Sequence, residues 1–285
     1  MTHRRDFIKS SAIMAAAAMV YPSVAFTPAK KTIGLQLYTV RDKIDKDLTS
    51  TLEKVAKIGY TSLEAAGYNA ADGTFYKHSP RDFAKMVSDL GMKLNSSHSA
   101  FEPDAAEKVI GDAVAAGVKY IIYPFLPEQY RKDLDGWKAT AEKFNKLGEV
   151  AKRNGIRFGY HNHAFEFEKM DGQIPYDLLV SQTDPSLVTM EMDLYWVTKG
   201  GYNPVDYFNK YPGRFELWHV KDMVKTEDMF FAPVGSGRID FAAIFAQKDK
   251  AGMKYAFVEQ DSFKNMDAFE SIEMSYKYLN NSKFL

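Results

Sequence analysis

The stretch IRFGYHNHAFEF, residues 156–167, places an apolar strand pattern directly before two histidines and a glutamate. Side chains alternate along an extended chain, so His161 and His163 lie on one side and Asn162 on the other. Imidazole and carboxylate groups are metal ligands and proton-transfer groups. Alternatively, the histidines cap the strand and hydrogen-bond the loop backbone. The stretch alone leaves both interpretations open, and the rest of the chain distinguishes them.

The composition restricts the classes of function. The 285 residues include 37 basic and 37 acidic side chains, so the formal net charge is zero. A neutral chain has no bulk electrostatic attraction for nucleic acid or for an anionic membrane. The absence of cysteine excludes disulfides and thiol nucleophiles, and leaves histidine, aspartate and glutamate as metal ligands. With 14% aromatic residues, we expect a small-molecule carbohydrate as the binding partner, and the sequence leaves homo-oligomerisation open.

The first 30 residues have the pattern of an export signal. Arg4 and Arg5 precede Phe-Ile-Lys, and an apolar run at 11–20 is followed by small residues near Ala25. The run is too short to span a bilayer, and the paired arginines are typical of a twin-arginine signal. We therefore expect residues 1–30 to be a signal peptide and the protein to be periplasmic, with no membrane contact after signal removal. Residues 31–285 then form a single catalytic domain.

From residue 32 onward, strand and helix patterns alternate. Eight short apolar strands are predicted at 33–38, 61–64, 93–97, 120–124, 156–160, 188–193, 215–220 and 255–259. Eight helices are predicted at 47–58, 79–90, 105–116, 136–154, 175–181, 204–211, 240–250 and 266–279. Alternation of this kind implies parallel strands, and eight units in this length predict a (β/α)₈ TIM barrel. A doubly wound open sheet is the competing architecture, but Tyr38-Thr39-Val40-Arg41 follows the first strand instead of the dinucleotide-binding glycine fingerprint.

The strand ends carry an unusual set of polar residues. In a TIM barrel the active site lies at the C-terminal ends of the strands. The last polar residues of six strands are metal-capable or acid/base groups: Glu64, His98, His161, Asp193, His219 and Glu259. A single carboxylate at a strand end is usually just a solvated terminus. Six such residues together indicate a functional site.

Four of these residues come from neighbouring strands. Strands five to eight end in His161, Asp193, His219 and Glu259, which can therefore converge on one divalent ion. Two imidazoles and two carboxylates suit zinc, manganese or cobalt better than calcium, which prefers oxygen ligands alone, and magnesium is kept as a further candidate. The sequence does not identify the ion. A metal in such a site polarises a carbonyl or hydroxyl oxygen.

Longer motifs surround these residues. They are Gly159–His163 on strand five, Met192-Asp193 on strand six, Trp218–Asp222 on strand seven, Gly235–Phe241 before the seventh helix, and Val258-Glu259 on strand eight. From about residue 32 to the C-terminus, the chain resembles the xylose isomerase-like TIM barrel superfamily, in particular its sugar phosphate isomerase/epimerase branch. The His-x-Lys-Asp piece followed by Gly-x-Gly-x-Ile-Asp-Phe is the most specific part of this resemblance.

The resemblance implies roles for individual residues. Asp193, His219 and Glu259 match the metal ligands of the family, and Lys221 matches a substrate contact. Asp222 matches a residue that orients its neighbours. We expect the substrate to meet the strand-end and aromatic side chains Tyr38, Glu64, His98, Trp196 and Lys221.

The chain departs from its relatives at two positions. Many epimerases of the family carry glutamate as ligand and base where His161 stands here, and histidine where Trp196 stands. One carboxylate of the two-carboxylate epimerase mechanism is therefore missing. Glu259, His163 and Glu166 are the remaining candidates for the acid/base role.

Three functions remain open on the sequence. The first is a divalent-metal-dependent sugar isomerase or epimerase, which abstracts a proton next to a carbonyl and forms a metal-stabilised enediolate. The second is a keto-glycoside lyase or hydrolase that uses the same metal site for elimination. The third is a non-catalytic sugar-binding barrel. We expect the first, with the lyase as runner-up.

Overall fold

Eight parallel strands close into a barrel in the computed structural model, which describes residues 31–285. In chain order they are β1 (Gly34–Gln36), β2 (Ser62–Ala65), β3 (Lys93–His98), β4 (Tyr120–Tyr123), β5 (Arg157–His161), β6 (Val188–Asp193), β7 (Leu217–Val220) and β8 (Tyr255–Val258). Each strand pairs in parallel with the next along the chain, and β8 returns to pair with β1. The TIM barrel prediction is confirmed, and the open sheet is excluded.

Helices connect these strands. In the described part of the chain they span Arg41–Ile44, Leu48–Ile58, Pro80–Asp89, Ala106–Ala115, Leu134–Arg153, Pro175–Gln182, Leu194–Lys199, Pro204–Lys210, Phe241–Phe245, Lys248–Ala251 and Ala268–Asn281. Two small hairpins, Tyr68–Asn69 with Thr74–Phe75 and Asp222–Met223 with Phe231–Ala232, lie outside the barrel. None of the helices in residues 31–285 is long and apolar enough to cross a membrane. The export signal expected at residues 1–30 lies outside the described residues.

Capping residues fix the helix starts. The Asp133 carboxylate accepts a hydrogen bond from the Gly136 N–H at 2.8 Å, so the helix predicted to begin at 136 begins at Leu134. Ser79 caps the helix that follows it, and Pro80 occupies the first turn, where its missing N–H has no cost. The caps thus explain why these boundaries are close to the predicted ones.

Several elements differ from the prediction: the short helix Arg41–Ile44 and the two hairpins were not predicted, and two further differences have a local cause. The helix expected at 240–250 is two short helices, because the Gln247 N–H bonds to the Ile244 carbonyl in a tighter turn between them. A helix that was not predicted, Leu194–Lys199, begins directly after β6. Its cap is the last residue of the strand, Asp193, whose Oδ1 accepts the Trp196 N–H at 2.9 Å. No turn residue separates strand from helix, so the sequence pattern did not show the boundary.

The barrel interior changes from apolar to charged along its axis. A buried apolar cluster of inward-facing side chains consists of Tyr120, Ile122, Leu217 and Phe257. On β6 and β7, the inward positions nearer the C-terminal ends are instead Glu191, Asp193 and His219, all fully buried. Gly159 on β5 leaves room for this packing, because a Cβ there would lie 2.6 Å from Ile122 Cδ1. The apolar layer closes the barrel beneath the charged residues.

Candidate functional site

The four predicted metal ligands converge at the C-terminal end of the barrel. His161, Asp193, His219 and Glu259, here called the upper cluster, are all buried, and their ligand atoms lie within 4.8 Å of one another. Asp193 Oδ2 lies 3.2 Å from His161 Nε2 and 4.0 Å from His219 Nδ1, and Glu259 Oε2 lies 2.6 Å from His219 Nδ1. Four neighbouring strands therefore bring one donor each to the same point.

A second cluster lies beneath the first. Glu64, His98, Glu191 and His219, here called the lower cluster, also place their ligand atoms within 4.8 Å of one another. His98 Nε2 lies 2.6 Å from Glu191 Oε2 and 3.2 Å from Glu64 Oε1. His219 Nε2 lies 2.6 Å from Glu64 Oε1 and 3.2 Å from Glu191 Oε2. His219 belongs to both clusters and faces each with a different ring nitrogen.

Lys221 contributes a buried positive charge. Its Nζ lies 3.0 Å from Asp193 Oδ2, 2.6 Å from Glu259 Oε2 and 2.9 Å from Asp261 Oδ1, and its side chain is 2% exposed. Burial would lower the pKa of Lys221, but these three carboxylates raise it well above its ordinary value. Lys221 is therefore an ammonium that neutralises carboxylates of the upper cluster.

Burial sets the charge of the histidines. It lowers the pKa of His98 and of His163 to about 4, and the pKa of His161 well below its ordinary value. These imidazoles are neutral near pH 7 and keep a lone pair for a metal or a proton. Burial also disfavours the charged form of His219, but the negative charges of Glu191 and of the neighbouring carboxylates raise its pKa well above its ordinary value.

Burial and neighbouring charges also give the carboxylates different pKa values. Burial raises the pKa of Glu191 to about 7, and burial together with the Glu191 charge raises the pKa of Glu64. Glu259 behaves in the opposite way: although burial opposes it, Lys221 and then His219 hold its pKa well below the ordinary value. Burial raises the pKa of Asp261 to about 6. Asp261 is thus a more ready proton donor near neutral pH than Glu259.

A cavity of about 580 Å³ opens above the upper cluster. It is lined by side chains from the C-terminal ends of the strands: Tyr38, Ala66, Tyr68, His98, Ser99, Ala100, Pro124, Phe125, His161, His163, Lys221, Glu259 and Asp261. Tyr38 and Phe125 are each 43% exposed and present aromatic surface at this cavity. A larger recess, of about 900 Å³, lies at the opposite end of the barrel around Lys119 and Arg157. Because TIM barrel active sites lie at the C-terminal face, the smaller cavity is the candidate site.

His163 and Glu166, two predicted acid/base residues, occupy different environments. His163 lines the cavity and packs against Phe125 and Trp196, at ring-centroid distances of 5.2 and 5.4 Å. Glu166 is fully buried, and its two oxygens accept hydrogen bonds from the Tyr160 hydroxyl at 2.6 Å and from the His163 backbone N–H at 2.9 Å. Through these contacts Glu166 holds the loop that carries His163. Its role as a base remains a prediction.

The predicted substrate contacts also separate into two groups. Tyr38, His98 and Lys221 line the cavity. Glu64 is fully buried in the lower cluster, where it accepts further hydrogen bonds from the Gln36 amide and the Ser96 hydroxyl, residues outside the prediction. Trp196 lies beside His163, as described above, rather than among the residues that line the cavity. The contact roles of Glu64 and Trp196 remain predictions without support from the cavity.

Two functional candidates were missed from the sequence. Glu191 lies two residues before Asp193 on β6, and the alternation of a strand puts both on the inner face. Asp261 lies two residues beyond Glu259, past the end of β8. The prediction used only the last polar residue of each strand, and this rule left out both residues. The alternation of inward and outward side chains could have identified Glu191.

Asp222 has the orienting role that the family resemblance implied. Its Oδ1 accepts the N–H groups of Met223 and Ile239, and its Oδ2 those of Gly235 and Gly237, at 2.8 to 3.2 Å. This buried carboxylate ties the Gly-x-Gly-x-Ile segment to the chain immediately after Lys221. It therefore positions backbone around the site and does not itself line the cavity.

Comparisons with known proteins agree with the barrel. The family model for xylose isomerase-like TIM barrels matches residues 52–278. The inosose dehydratase of Clostridium beijerinckii is 33% identical over 143 residues, which are 45% of this chain and 47% of that protein. The chain thus spans about half the length of the curated relatives it matches.

Solved structures resemble a larger part of the chain. The crystal structure of a sugar phosphate isomerase/epimerase from Parabacteroides distasonis superposes with a TM-score of 0.82 at 32% identity, covering 92% of this chain and 97% of that one. A zinc-bound structure of the IOLI protein superposes with a TM-score of 0.70 at 16% identity, covering 90% and 99% of the two chains. The second likeness is one of fold alone.

Proposed function

We propose that this chain, which belongs to the xylose isomerase-like TIM barrel family, is a metal-dependent lyase for polyhydroxy ketones. It removes the proton next to the carbonyl, and the oxygen substituent on the following carbon then leaves. The observation that carries this proposal is the position of the carboxylates. Glu259 and Asp261, the two that line the cavity, come from one strand end and both bind Lys221, whereas Glu166 is held in the loop.

The upper cluster fits a divalent ion by the chemistry of its donors. Two imidazoles and two carboxylates within 4.8 Å of one another are a usual ligand set for zinc, manganese or cobalt. His161, Asp193, His219 and Glu259 would hold the ion, and Lys221 has Asp261 as a carboxylate partner outside that set. When bound, such an ion supplies Lewis acidity toward the carbonyl oxygen of the substrate.

His163 is the base that the geometry favours. It lines the cavity, and burial keeps its imidazole neutral near pH 7, so a nitrogen lone pair is available to take a proton. Glu259 is less suited, because its carboxylate already contacts Lys221 and His219 and is one of the groups that would hold the ion. A positioned general base contributes about 10²–10⁴-fold to the rate.

Asp261 is placed to supply the second proton. It lines the cavity beside Lys221, and its pKa of about 6 leaves a protonated fraction near neutral pH. His163 takes the proton from the carbon next to the carbonyl, and the bond between the following carbon and its oxygen breaks. The oxygen leaves with a proton from Asp261 as water or an alcohol. The product is an unsaturated ketone, and no oxidant or reductant is consumed.

The name of the curated relatives favours elimination, since a dehydratase removes water by this kind of step. Isomerase or epimerase activity is the second candidate, and the structure from Parabacteroides distasonis favours it. Both reactions begin with the same proton abstraction and differ in whether a substituent leaves. The export signal expected at residues 1–30 would place either reaction outside the cytoplasm, where sugars without phosphate are the more plentiful substrates.

Product analysis in D₂O distinguishes these functions. The protein, supplied with Mn²⁺, Zn²⁺ or Co²⁺, is incubated with a keto-inositol and with a 3-keto-glucoside. Elimination gives a conjugated ketone that absorbs in the ultraviolet, together with water or the released alcohol. Epimerisation gives a product that keeps all its substituents and gains one deuteron. A non-catalytic sugar-binding barrel gives neither product, and the bound sugar only stabilises the protein against unfolding. That result would refute the enzymatic proposal.

His163→Gln is the variant that tests the base, and it should lower kcat by about 10²–10⁴-fold while metal content is unchanged. His78→Gln is its matched control, because His78 contributes to neither cluster and does not line the cavity. Equal activity of the two variants would move the base to another residue.

A further inference from the structure

We propose that Glu64, His98, Glu191 and His219 form a second divalent-cation site inside the barrel. The protein then holds two ions, one in the upper cluster and one in the lower cluster, with His219 bound to both. The lower site rests on different side chains from the reaction proposed above, apart from His219. Its presence does not depend on which ketone is the substrate.

The donor geometry of the lower cluster matches that of the upper cluster. Both contain two imidazoles and two carboxylates from four strands, with ligand atoms within 4.8 Å. In the lower cluster each imidazole Nε2 contacts both carboxylates, at 2.6 and 3.2 Å. Donor atoms that bind one ion at about 2.0–2.2 Å lie at comparable separations from one another.

His219 is oriented to serve both ions. Its Nδ1 faces Glu259 in the upper cluster, and its Nε2 faces Glu64 in the lower cluster, each at 2.6 Å. An imidazole that binds metal through both nitrogens has released both N–H protons. One of these protons goes to solvent when each ion binds.

The buried charge of the lower cluster needs a cation. Glu64 and Glu191 are fully buried, and the neighbours that hydrogen-bond Glu64 from outside the cluster, Gln36 and Ser96, are uncharged. Lys221 is paired with Asp193, Glu259 and Asp261 in the upper cluster. His219 is the charged partner of Glu64 and Glu191 within the cluster, and it loses that charge when Nδ1 binds the upper ion, so a second divalent ion fits the place where the two carboxylates meet.

An unpaired atom points to the same conclusion. Glu191 Oε1 is buried and has no hydrogen-bond partner among the described residues, although Oε2 of the same carboxylate contacts both histidines. Leaving a buried acceptor unsatisfied typically costs about 1–3 kcal/mol, and more when it is charged. A metal ion that binds both oxygens of Glu191 removes this cost.

Metal counting tests the proposal independently of turnover. The full protein is loaded with Mn²⁺, freed of weakly bound ions, and analysed by elemental analysis and electron paramagnetic resonance. Wild type should carry two equivalents with a spin-coupled signal. Glu191→Gln and Asp193→Asn should each carry one equivalent with an uncoupled signal. Glu216→Gln, which removes a carboxylate near the other end of β7, is the control and should keep two.

Titration with Mn²⁺ gives the strength of each site. The second equivalent should bind to Glu191→Gln at least about 100-fold more weakly than to wild type. If Glu191→Gln does not fold, His98→Asn replaces it as the test of the lower cluster. A single equivalent of bound Mn²⁺ in wild type overturns the proposal, whichever substitution removes that ion. Two equivalents that remain bound in both Glu191→Gln and His98→Asn overturn it as well. Failure of every ketone to react, with two ions counted, would overturn the proposed reaction and leave the second site standing.

Discussion

Replacing Lys221 by methionine removes the buried positive charge of the site while keeping the length of the side chain. In the wild type, Lys221 Nζ lies 3.0 Å from Asp193 Oδ2 and 2.6 Å from Glu259 Oε2, and all three side chains are 5% exposed or less. Without added metal, Lys221→Met leaves these carboxylates close together with their compensating charge removed. Breaking a buried ion pair at one partner costs about 3–5 kcal/mol.

That cost is large enough to measure by unfolding. For a domain of this size, about 1 kcal/mol changes Tm by roughly 2–4 °C, so we expect a loss of roughly 6–20 °C in metal-free buffer. Urea unfolding at 25 °C gives the free energy directly. A saturating divalent ion should stabilise Lys221→Met more than wild type, because the ion then neutralises Asp193 and Glu259.

Lys264→Met provides the matched control. Lys264 Nζ lies 3.0 Å from Asp228 Oδ2, a distance close to those of Lys221, but the two side chains are 59% and 53% exposed. Exposed pairs contribute about 0–1 kcal/mol, so this variant should remain close to wild type. If Lys221→Met is no less stable than Lys264→Met without metal, the reasoning about the buried charge is wrong.

Three further predictions concern residues around the site. Asp222→Asn turns an amide NH₂ toward two backbone N–H groups that the carboxylate now satisfies, so urea unfolding should show a loss of about 3 kcal/mol; an unchanged midpoint would contradict this. Burial raises the pKa of Glu166 from 4.5 to about 7, so this carboxyl alone should remove roughly 3 kcal/mol of wild-type stability as pH rises through that interval. Glu166→Gln should lose much less over the same interval, and parallel pH profiles would rule this out. Phe125→Ala should raise KM roughly fivefold with little change in kcat, as lost stacking at the cavity predicts, whereas a change in kcat alone would place Phe125 in the chemical step.

The barrel and the upper cluster could be predicted from the sequence because both follow from local patterns. The alternation of strands and helices implies parallel strands, and parallel strands in a barrel bring their C-terminal ends together. His161, Asp193, His219 and Glu259 stand at those ends, so one rule about position identified all four.

The remaining features depend on contacts that local patterns do not encode. Glu166 is close to His163 in sequence, but the Tyr160 hydroxyl and the loop backbone hold its carboxylate in the interior. Asp261 lies beyond the end of its strand, and its pairing with Lys221 appears only when two strands are side by side. The lower cluster required side chains from four strands to be placed together.

We propose that the upper cluster binds a metal and that a base in the cavity above it removes a proton next to a carbonyl. The most direct test is solvent deuterium exchange into a keto-inositol, followed by NMR with wild type and Asp193→Asn, each with matched Mn²⁺ and with chelator. We expect exchange or elimination with metal-loaded wild type, and loss of both with chelator and in Asp193→Asn. Exchange that persists undiminished in Asp193→Asn and in chelator would show that the upper cluster does not bind a metal that the reaction needs.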